Sequence, residues 1–185
     1  MISSVLQVVL AVLVITTLYV VVRTVFFSWR ERAVQPVEGV PVDADAVAGH
    51  LAAAVRCQTG ALDDTGTPDP EAFRQLHQML AETYPLVHQK LKREVVSGYS
   101  LLYTWQGSRA DLEPVMLMAH QDVVSADPDG WTHPPFEGVI ADGFIWGRGT
   151  LDIKNQLIGI MEAAETLLQQ GYRPERTILF GLGHD

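Results

Sequence analysis

An uncharged stretch near the N-terminus constrains this chain more than any other feature of its sequence. Residues 2–22 read ISSVLQVVLAVLVITTLYVVV and contain no charged side chain. As an α-helix this stretch would be roughly 30 Å long, which matches the hydrocarbon core of a bilayer. We therefore expect residues 1–27 to form a membrane anchor or an uncleaved signal segment. A cleaved signal peptide and a buried helix of a soluble protein are the alternatives.

The orientation of such an anchor is left open by the flanking charges. Arg23, Arg30 and Arg32 all follow the apolar stretch, and the positive-inside rule would keep them in the cytoplasm. We expect a single-pass membrane protein. In the orientation opposite to that of the positive-inside rule, the domain after the anchor would face the lumen of the vacuole, the lysosome or the secretory pathway, or the outside of the cell.

The rest of the chain has the composition of an acidic globular domain. Of the 185 residues, 48% are hydrophobic, and the net charge is -9. An acidic chain without a basic run is not typical of a nucleic-acid-binding protein. Cys57 is the only cysteine, so the chain has no internal disulfide. Residues 28–42 mix charges with two prolines and are predicted to be a linker to a domain at 43–185.

Hydrophobic periodicity in this domain predicts alternating helices and strands. AVAGHLAAAVR, capped by Asp43 or Asp45, and EAFRQLHQMLAETY have helical spacing. YSLLYTW, PVMLMAH and RTILFGL are typical of strands, and Asp142-Gly143 predicts a hairpin turn. A helix should follow Asp152. A strand, a crossover helix and a further strand in this order indicate an α/β domain with a partly parallel sheet.

Histidine and aspartate follow the predicted strands. His120 ends PVMLMAH, and Asp122 lies two residues later. Residues i and i+2 of an extended chain face the same side, so the Asp122 carboxylate can accept a hydrogen bond from one imidazole nitrogen while the other faces a metal. Taken alone, such a pair is also typical of a structural hydrogen bond. RTILFGL likewise leads to His184 and Asp185, and we expect these strand ends to meet at one site.

The stretch GRGTLDIKNQ (147–156) places Asp152 between a glycine turn and a helix. A carboxylate held by such a turn can give one oxygen to each of two metal ions about 3.5–4 Å apart. The alternative is a carboxylate at the helix N-terminus, which the helix dipole stabilises by about 0.3–1 kcal/mol. We expect the neighbouring Lys154 to face solvent.

Three motifs in this order resemble a known family: HQDVV, GWTHPPFEGVIADGFIWGRGTLDIKN and GHD. They are similar to the zinc-dependent exopeptidases, which include carboxypeptidase S, aminoacylase and the desuccinylases. The branch of carboxypeptidase S and the N-fatty-acyl amino acid hydrolases is the most similar. This resemblance implies a three-layer α/β fold with a mixed, partly parallel sheet and flanking helices.

The resemblance also assigns roles to residues of this sequence. It implies that His120 is a ligand of the first of two zinc ions, that Asp122 is a catalytic residue that orients it, and that Asp152 bridges both ions. Cobalt and manganese also accept such ligands. In the family, a motif like GHD leads to a Glu-Glu pair that supplies the general base and a further zinc ligand. The chain ends before this pair.

Residues 43–185 therefore resemble the N-terminal part of a metallopeptidase catalytic domain, without the later metal ligands and without the lid domain. A homodimer would require this lid domain. The complete enzyme would hydrolyse amide bonds of peptides with a free C-terminus or of N-acyl amino acids. We expect the 185 residues alone to bind metal weakly and to be inactive.

Two further expectations concern what this segment exposes. No specificity pocket is recognisable before Asp185, and RTILFGL should be left at an uncovered edge of the sheet. The competing interpretation of the chain is a catalytically dead, membrane-anchored product that acts as a binding protein.

Overall fold

The computed structural model describes residues 2–27, 41–60 and 68–184. The chain divides into two compact units, Met1–Pro41 and Val42–Asp185. Most of the predicted linker, part of the loop after Thr59, and Asp185 lie outside the described residues.

The first unit contains helix α1 (Ile2–Val25). Its few polar side chains are compatible with an apolar surface, since the Thr16 hydroxyl donates to the carbonyl oxygen of Val12 at 2.8 Å within the helix. By length and composition, Ser4–Val25 is sufficient to cross a membrane. The predicted apolar helix is confirmed, and the crossing stays a prediction.

The second unit is an α/β domain. In chain order its described elements are α2 (Ala44–Arg56), α3 (Pro70–Thr83), α4 (Pro85–Lys90), β1 (Lys92–Val96), β2 (Ser100–Trp105), β3 (Val115–His120), β4 (Val139–Ala141), β5 (Phe144–Trp146), α5 (Asn155–Gln169) and β6 (Ile178–Gly183). An irregular turn (Thr150–Lys154) precedes α5. Strands β4 and β5 form the predicted hairpin, with Asp142 and Gly143 at positive φ.

Aspartate caps fix the beginnings of two helices. The Asp43 carboxylate accepts a hydrogen bond from the backbone N–H of Ala46 at 3.0 Å, so Asp43, and not Asp45, caps α2. Asp69 does the same for the N–H of Glu71 in α3 at 2.9 Å.

The main sheet has the strand order β1-β2-β6-β3. Strand β2 pairs antiparallel with β1 and β6, whereas β3 and β6 are parallel, with Val115 opposite Ile178 and His120 opposite Gly183. The predicted partly parallel sheet is confirmed. The prediction that RTILFGL lies at an edge is wrong, because β6 is paired on both sides and the edge strands are β1 and β3.

Helices cover one face of this sheet. On that face Tyr103, Phe180 and Leu182 are at most 2% exposed, and they share a core with the apolar faces of α2, α3 and α5. On the opposite face Met116 and Met118 are 46% and 63% exposed. The described part of the chain therefore has one helical layer, whereas the predicted three-layer arrangement requires helices on both faces.

Candidate metal centre

His120 is the last residue of β3, at the edge of the sheet where the carboxyl ends of β3 and β6 meet. Its Nδ1 lies 2.9 Å from the carbonyl oxygen of Asp122, and its Nε2 lies 3.1 Å from Oδ1 of Asp152. A neutral ring that donates through Nδ1 presents the lone pair of Nε2. The imidazole is therefore oriented for binding on the side of Asp152.

Asp152 reaches His120 from the irregular turn before α5. The turn requires glycine at position 149, where φ is +82° and a Cβ atom would lie 2.4 Å from the Val123 side chain. Asp152 itself has extended backbone angles (φ −125°, ψ 88°), and its side chain is 86% exposed. The helix begins at Asn155, so Asp152 is not a carboxylate of the first helical turn.

Asp122 orients His120 through its backbone. Its Oδ1 lies 3.6 Å from Nδ1 of His120, which is beyond hydrogen-bond distance, whereas its carbonyl oxygen lies at 2.9 Å. The predicted hydrogen bond from the ring to the carboxylate is therefore replaced by one to the carbonyl oxygen. The Asp122 carboxylate still adds negative charge beside the ring.

The electrostatic surroundings of His120 favour a positive charge. Partial burial alone lowers the pKa of the imidazole, but the hydrogen bonds to Asp152 and Asp122 and the charges of both carboxylates raise it above its ordinary value. The same negative potential attracts a metal cation.

The His120–Asp152 pair has a separation that fits a shared metal ion. Two ligands of a tetrahedral ion with bonds of about 2.0–2.1 Å lie roughly 3.3 Å apart, and Nε2 and Oδ1 are 3.1 Å apart. No third His, Cys, Asp or Glu joins them among the described residues. Because zinc sites normally have three or four protein ligands, the pair is one part of such a site.

The strand end at His184 does not join this pair. Its Nδ1 lies 2.7 Å from Oγ of Ser100, and its ring packs edge-on against two aromatic side chains. The ends of β3 and β6 meet as predicted, with His120 opposite Gly183, but the His184 side chain does not share the site of His120 and Asp152. The reason is strand alternation: Gly183 lies opposite His120, so the next side chain points to the other face.

Comparison with known proteins places this edge of the sheet in a family. A family profile described as Peptidase family M20/M25/M40 matches residues 116–185, which include His120, Asp122 and Asp152. Residues 116–185 are thus similar to this peptidase family. The resemblance predicted from the motifs is confirmed.

Two relatives show how much of the M20 proteins this chain covers. It is 39% identical over 178 residues to the probable carboxypeptidase S-like 2 of Dictyostelium discoideum, covering 91% of this chain and 34% of that protein. It is 47% identical over 116 residues to the N-fatty-acyl-amino acid synthase/hydrolase PM20D1 of Xenopus tropicalis, covering 62% and 23%. The chain thus spans about a third or less of the length of these curated relatives.

A solved structure shows the same fold. The M20 family metallo-carboxypeptidase Sso-CP2 from Sulfolobus solfataricus superposes with a TM-score of 0.55 and 18% identity, over 78% of this chain and 31% of that one. At this identity the likeness concerns the fold, and it confirms the α/β class with a partly parallel sheet.

Lys154 lies beneath the turn that carries Asp152. Its side chain is fully buried, and its Nζ donates to the carbonyl oxygens of Ala54 at 2.9 Å and Cys57 at 2.6 Å. These carbonyls lie at the end of α2, where they also accept hydrogen bonds from the backbone N–H groups of Cys57 and Thr59. Burial lowers the pKa of Lys154 to about 8. The prediction that Lys154 faces solvent is wrong, because the irregular turn directs it inward while it exposes Asp152.

Gln121 is a supporting residue that the sequence interpretation missed. The Gln121 side chain is fully buried. Its Nε2 donates to the carbonyl oxygens of Tyr99 at 2.8 Å and Leu182 at 2.9 Å. Its Oε1 lies 2.8 Å from Nε2 of His77. Its carbonyl oxygen accepts from the Thr59 hydroxyl. These bonds join β6, α3 and two loops directly beside His120. The available signal was strand alternation, which turns Gln121 into the core.

A pocket of about 580 Å³ adjoins Asp152. Its walls come from Leu51 of α2, from Trp131 and from residues 143–152, which span the hairpin and the irregular turn. No specificity pocket was recognisable in the sequence, because Leu51 is distant in the chain from Trp131 and residues 143–152, and only the fold brings them together.

Proposed function

We propose that this M20 segment belongs to a metal-dependent amide hydrolase that acts on peptides with a free C-terminus or on N-acyl amino acids. The observation that carries the proposal is the 3.1 Å contact between Nε2 of His120 and Oδ1 of Asp152 at the carboxyl edge of the sheet. The two substrate classes are suggested by the names of the relatives, a carboxypeptidase S-like protein and an N-fatty-acyl-amino acid synthase/hydrolase.

In this proposal His120 and Asp152 hold the metal. Imidazole and carboxylate ligands suit zinc, and the exposed carboxylate of Asp152 has an oxygen for each of two ions. When bound, zinc polarises a substrate carbonyl and lowers the pKa of water towards neutrality. The carbonyl oxygen of Asp122 holds Nδ1 of the histidine, which fixes the tautomer that offers Nε2.

The supporting residues keep these ligands in place without touching the metal. Gln121 fixes the end of β3 from which His120 projects, and Lys154 ties the turn that carries Asp152 to the end of α2. We assign Asp122 the role of orienting His120, through its carbonyl and through the negative charge of its carboxylate.

The activity is tested on the product of the complete reading frame that contains this sequence. Zinc-loaded protein should hydrolyse N-acyl amino acids or peptides, a chelator should abolish the activity, and Asp152→Asn should lower kcat at least about a hundredfold. Hydrolysis that survives both the chelator and Asp152→Asn would contradict the proposal. We expect residues 1–185 alone to show no turnover, and measurable turnover by them would contradict that expectation.

We further propose that α1 anchors the protein in a membrane as a single span. The support is the length and the apolar composition of Ser4–Val25. An anchored protein should stay with the membrane fraction after alkaline carbonate extraction, and protease protection of the second unit would decide its orientation. Release by carbonate would refute the anchor.

A further inference from the structure

The polar side chains of helix α1 differ in how their hydrogen bonds are satisfied. The hydroxyl groups of Thr16 and Thr24 donate to backbone carbonyl oxygens one turn earlier in the same helix, at 2.8 Å each. The side-chain amide of Gln7 and the hydroxyl of Thr17 form no such bond among the residues that the structure describes. Gln7 lies about 8 Å along the helix axis from Ile2, inside the uncharged stretch. Because the hydrocarbon core offers no water to such groups, we expect another helix to supply their partners.

Gln7 and Thr17 lie on one face of α1. Residues on this face follow one another at alternating spacings of three and four positions, and we call the face the seam. The seam consists of Gln7, Leu10, Val14, Thr17, Val21 and Thr24. A mean spacing of about 3.5 residues keeps two helices in contact along a left-handed supercoil, and valine at the first position of the repeat favours a pair of helices. Thr16, whose hydroxyl is bonded within its own helix, lies on the opposite face.

The helix surface beside Gln7 is shallow enough to receive a neighbour. A groove at this level is lined by Gln7, Leu10, Ala11, Val14 and Ile15. Ala11 contributes only a methyl group, and small side chains let the backbones of two membrane helices approach closely. The unpaired amide therefore lies next to the place where a second helix can come nearest.

We propose that α1 pairs in the membrane with α1 of a second copy of this chain, in parallel and along the seam. Copies that insert by the same route have the same orientation, so Gln7 faces Gln7 of the partner subunit. A carboxamide both donates and accepts hydrogen bonds, so two of them satisfy each other, and a polar residue at this position also fixes the register. The inference rests on the proposed membrane anchor, because the pairing gains its strength from the absence of water. This homodimer does not need the lid domain that the resemblance implies.

Disulfide cross-linking of the full chain in membranes maps the contact. In a Cys57→Ala background, Val14→Cys places a thiol on the seam, and Val12→Cys places one on the opposite face. Facing seam positions reach the Cα separation of about 4.4–6.8 Å that a disulfide requires, whereas positions on the outer faces do not. Oxidation should therefore link Val14→Cys into dimers and leave Val12→Cys monomeric. Equal cross-linking at both positions, or none at either, would overturn the proposal.

Substitution of the amide tests its role in the pairing. Resonance energy transfer between labelled copies in lipid vesicles measures the association constant, which Gln7→Leu should lower about threefold. Gln7→Asn, which keeps the amide, should retain most of it. Thr16→Val is the matched control, since it removes a hydroxyl that is bonded within its own helix, and it should change nothing. An association constant that Gln7→Leu leaves unchanged would overturn the assignment of the seam.

Carbonate extraction of the same samples separates this inference from the anchor. Chains that stay with the membrane fraction but do not link through Val14→Cys would retain the anchor and overturn the pairing. Chains that carbonate releases would refute both. Because neither measurement needs metal or substrate, both results are independent of whether the protein hydrolyses amides.

Discussion

The metal-facing pair and the residues that support it are built in opposite ways. Gln121 and Lys154 are fully buried, and each makes at least two hydrogen bonds to backbone carbonyl oxygens. Their near neighbours His120 and Asp152 have side chains that are 37% and 86% exposed. Positions one or two residues apart in the chain thus differ sharply in burial.

This difference shows where stability and ligand binding reside at the carboxyl edge of the sheet. Gln121 and Lys154 form their hydrogen bonds with other groups of the protein, mainly with backbone carbonyl oxygens. The side chains of His120 and Asp152 remain open to solvent, and we propose that a metal ion becomes their shared partner. Substitutions in the support should therefore change the free energy of unfolding, and substitutions in the pair should change metal binding.

The largest loss of stability is expected for Lys154→Met. The substitution removes two buried, charge-assisted hydrogen bonds, to the carbonyl oxygens of Ala54 and Cys57, which we expect to lower the free energy of unfolding by about 3 kcal/mol. Urea unfolding in non-ionic detergent, followed by tryptophan fluorescence, measures this loss. The exposed Lys90→Met is the matched control, and equal stability of the two variants would show that the buried ammonium has no structural role.

A smaller loss is expected for Gln121→Leu. Leucine fills a similar volume but cannot donate to the carbonyl oxygens of Tyr99 and Leu182, so the free energy of unfolding should fall by about 2 kcal/mol. The same urea experiment applies, with the exposed Gln89→Leu as control. An unchanged midpoint in Gln121→Leu would mean that this hydrogen-bond cluster does not hold the strand ends together.

Acidification should lower the free energy of unfolding by less than about 1 kcal/mol through His77, the hydrogen-bond partner of Gln121. Burial lowers the pKa of His77 below its unfolded value, although the hydrogen bond with Gln121 acts in the opposite direction. The unfolded chain therefore binds more protons, and this stability is present above about pH 6.5 and lost as the pH falls through the folded pKa. His77→Gln should reduce the slope of stability against pH between 7 and 5. The substitution should not abolish the slope, because burial lowers the pKa of His88 as well. An identical slope in His77→Gln would contradict this account.

The smallest change in stability is expected for Asp152→Asn. An exposed side chain away from the core should alter the free energy of unfolding by no more than about 0.5 kcal/mol. The urea midpoint of this variant, compared with that of Lys154→Met, tests the contrast across a distance of two residues. A loss in Asp152→Asn as large as that in Lys154→Met would remove the distinction between support and pair.

The sequence predicted those parts of the molecule that depend on local spacing. The apolar faces of the helices, the hairpin at Asp142-Gly143 and the glycine turn before Asp152 follow from short-range patterns, and the motifs identified His120 and Asp152. These signals are complete within about ten residues each. They therefore remain visible without knowledge of the fold.

The features that the sequence did not predict depend on contacts between distant segments. Lys154 finds its acceptors about 100 positions earlier in the chain, at the end of α2. The order of the strands, and with it the internal position of β6, is set by pairing that periodicity does not encode. The pocket with Arg148 and Thr150 forms only where α2, the hairpin and the irregular turn meet.

Metal binding by the pair is the most direct test of the central claim that His120 and Asp152 share a metal ion. Calorimetric titration of the 185-residue chain with zinc should show weak binding that Asp152→Asn and His120→Asn each reduce at least about tenfold, without a change in the urea midpoint. Asp111→Asn, at an exposed site, should bind zinc as the wild type does. Unchanged zinc binding by Asp152→Asn would contradict the account.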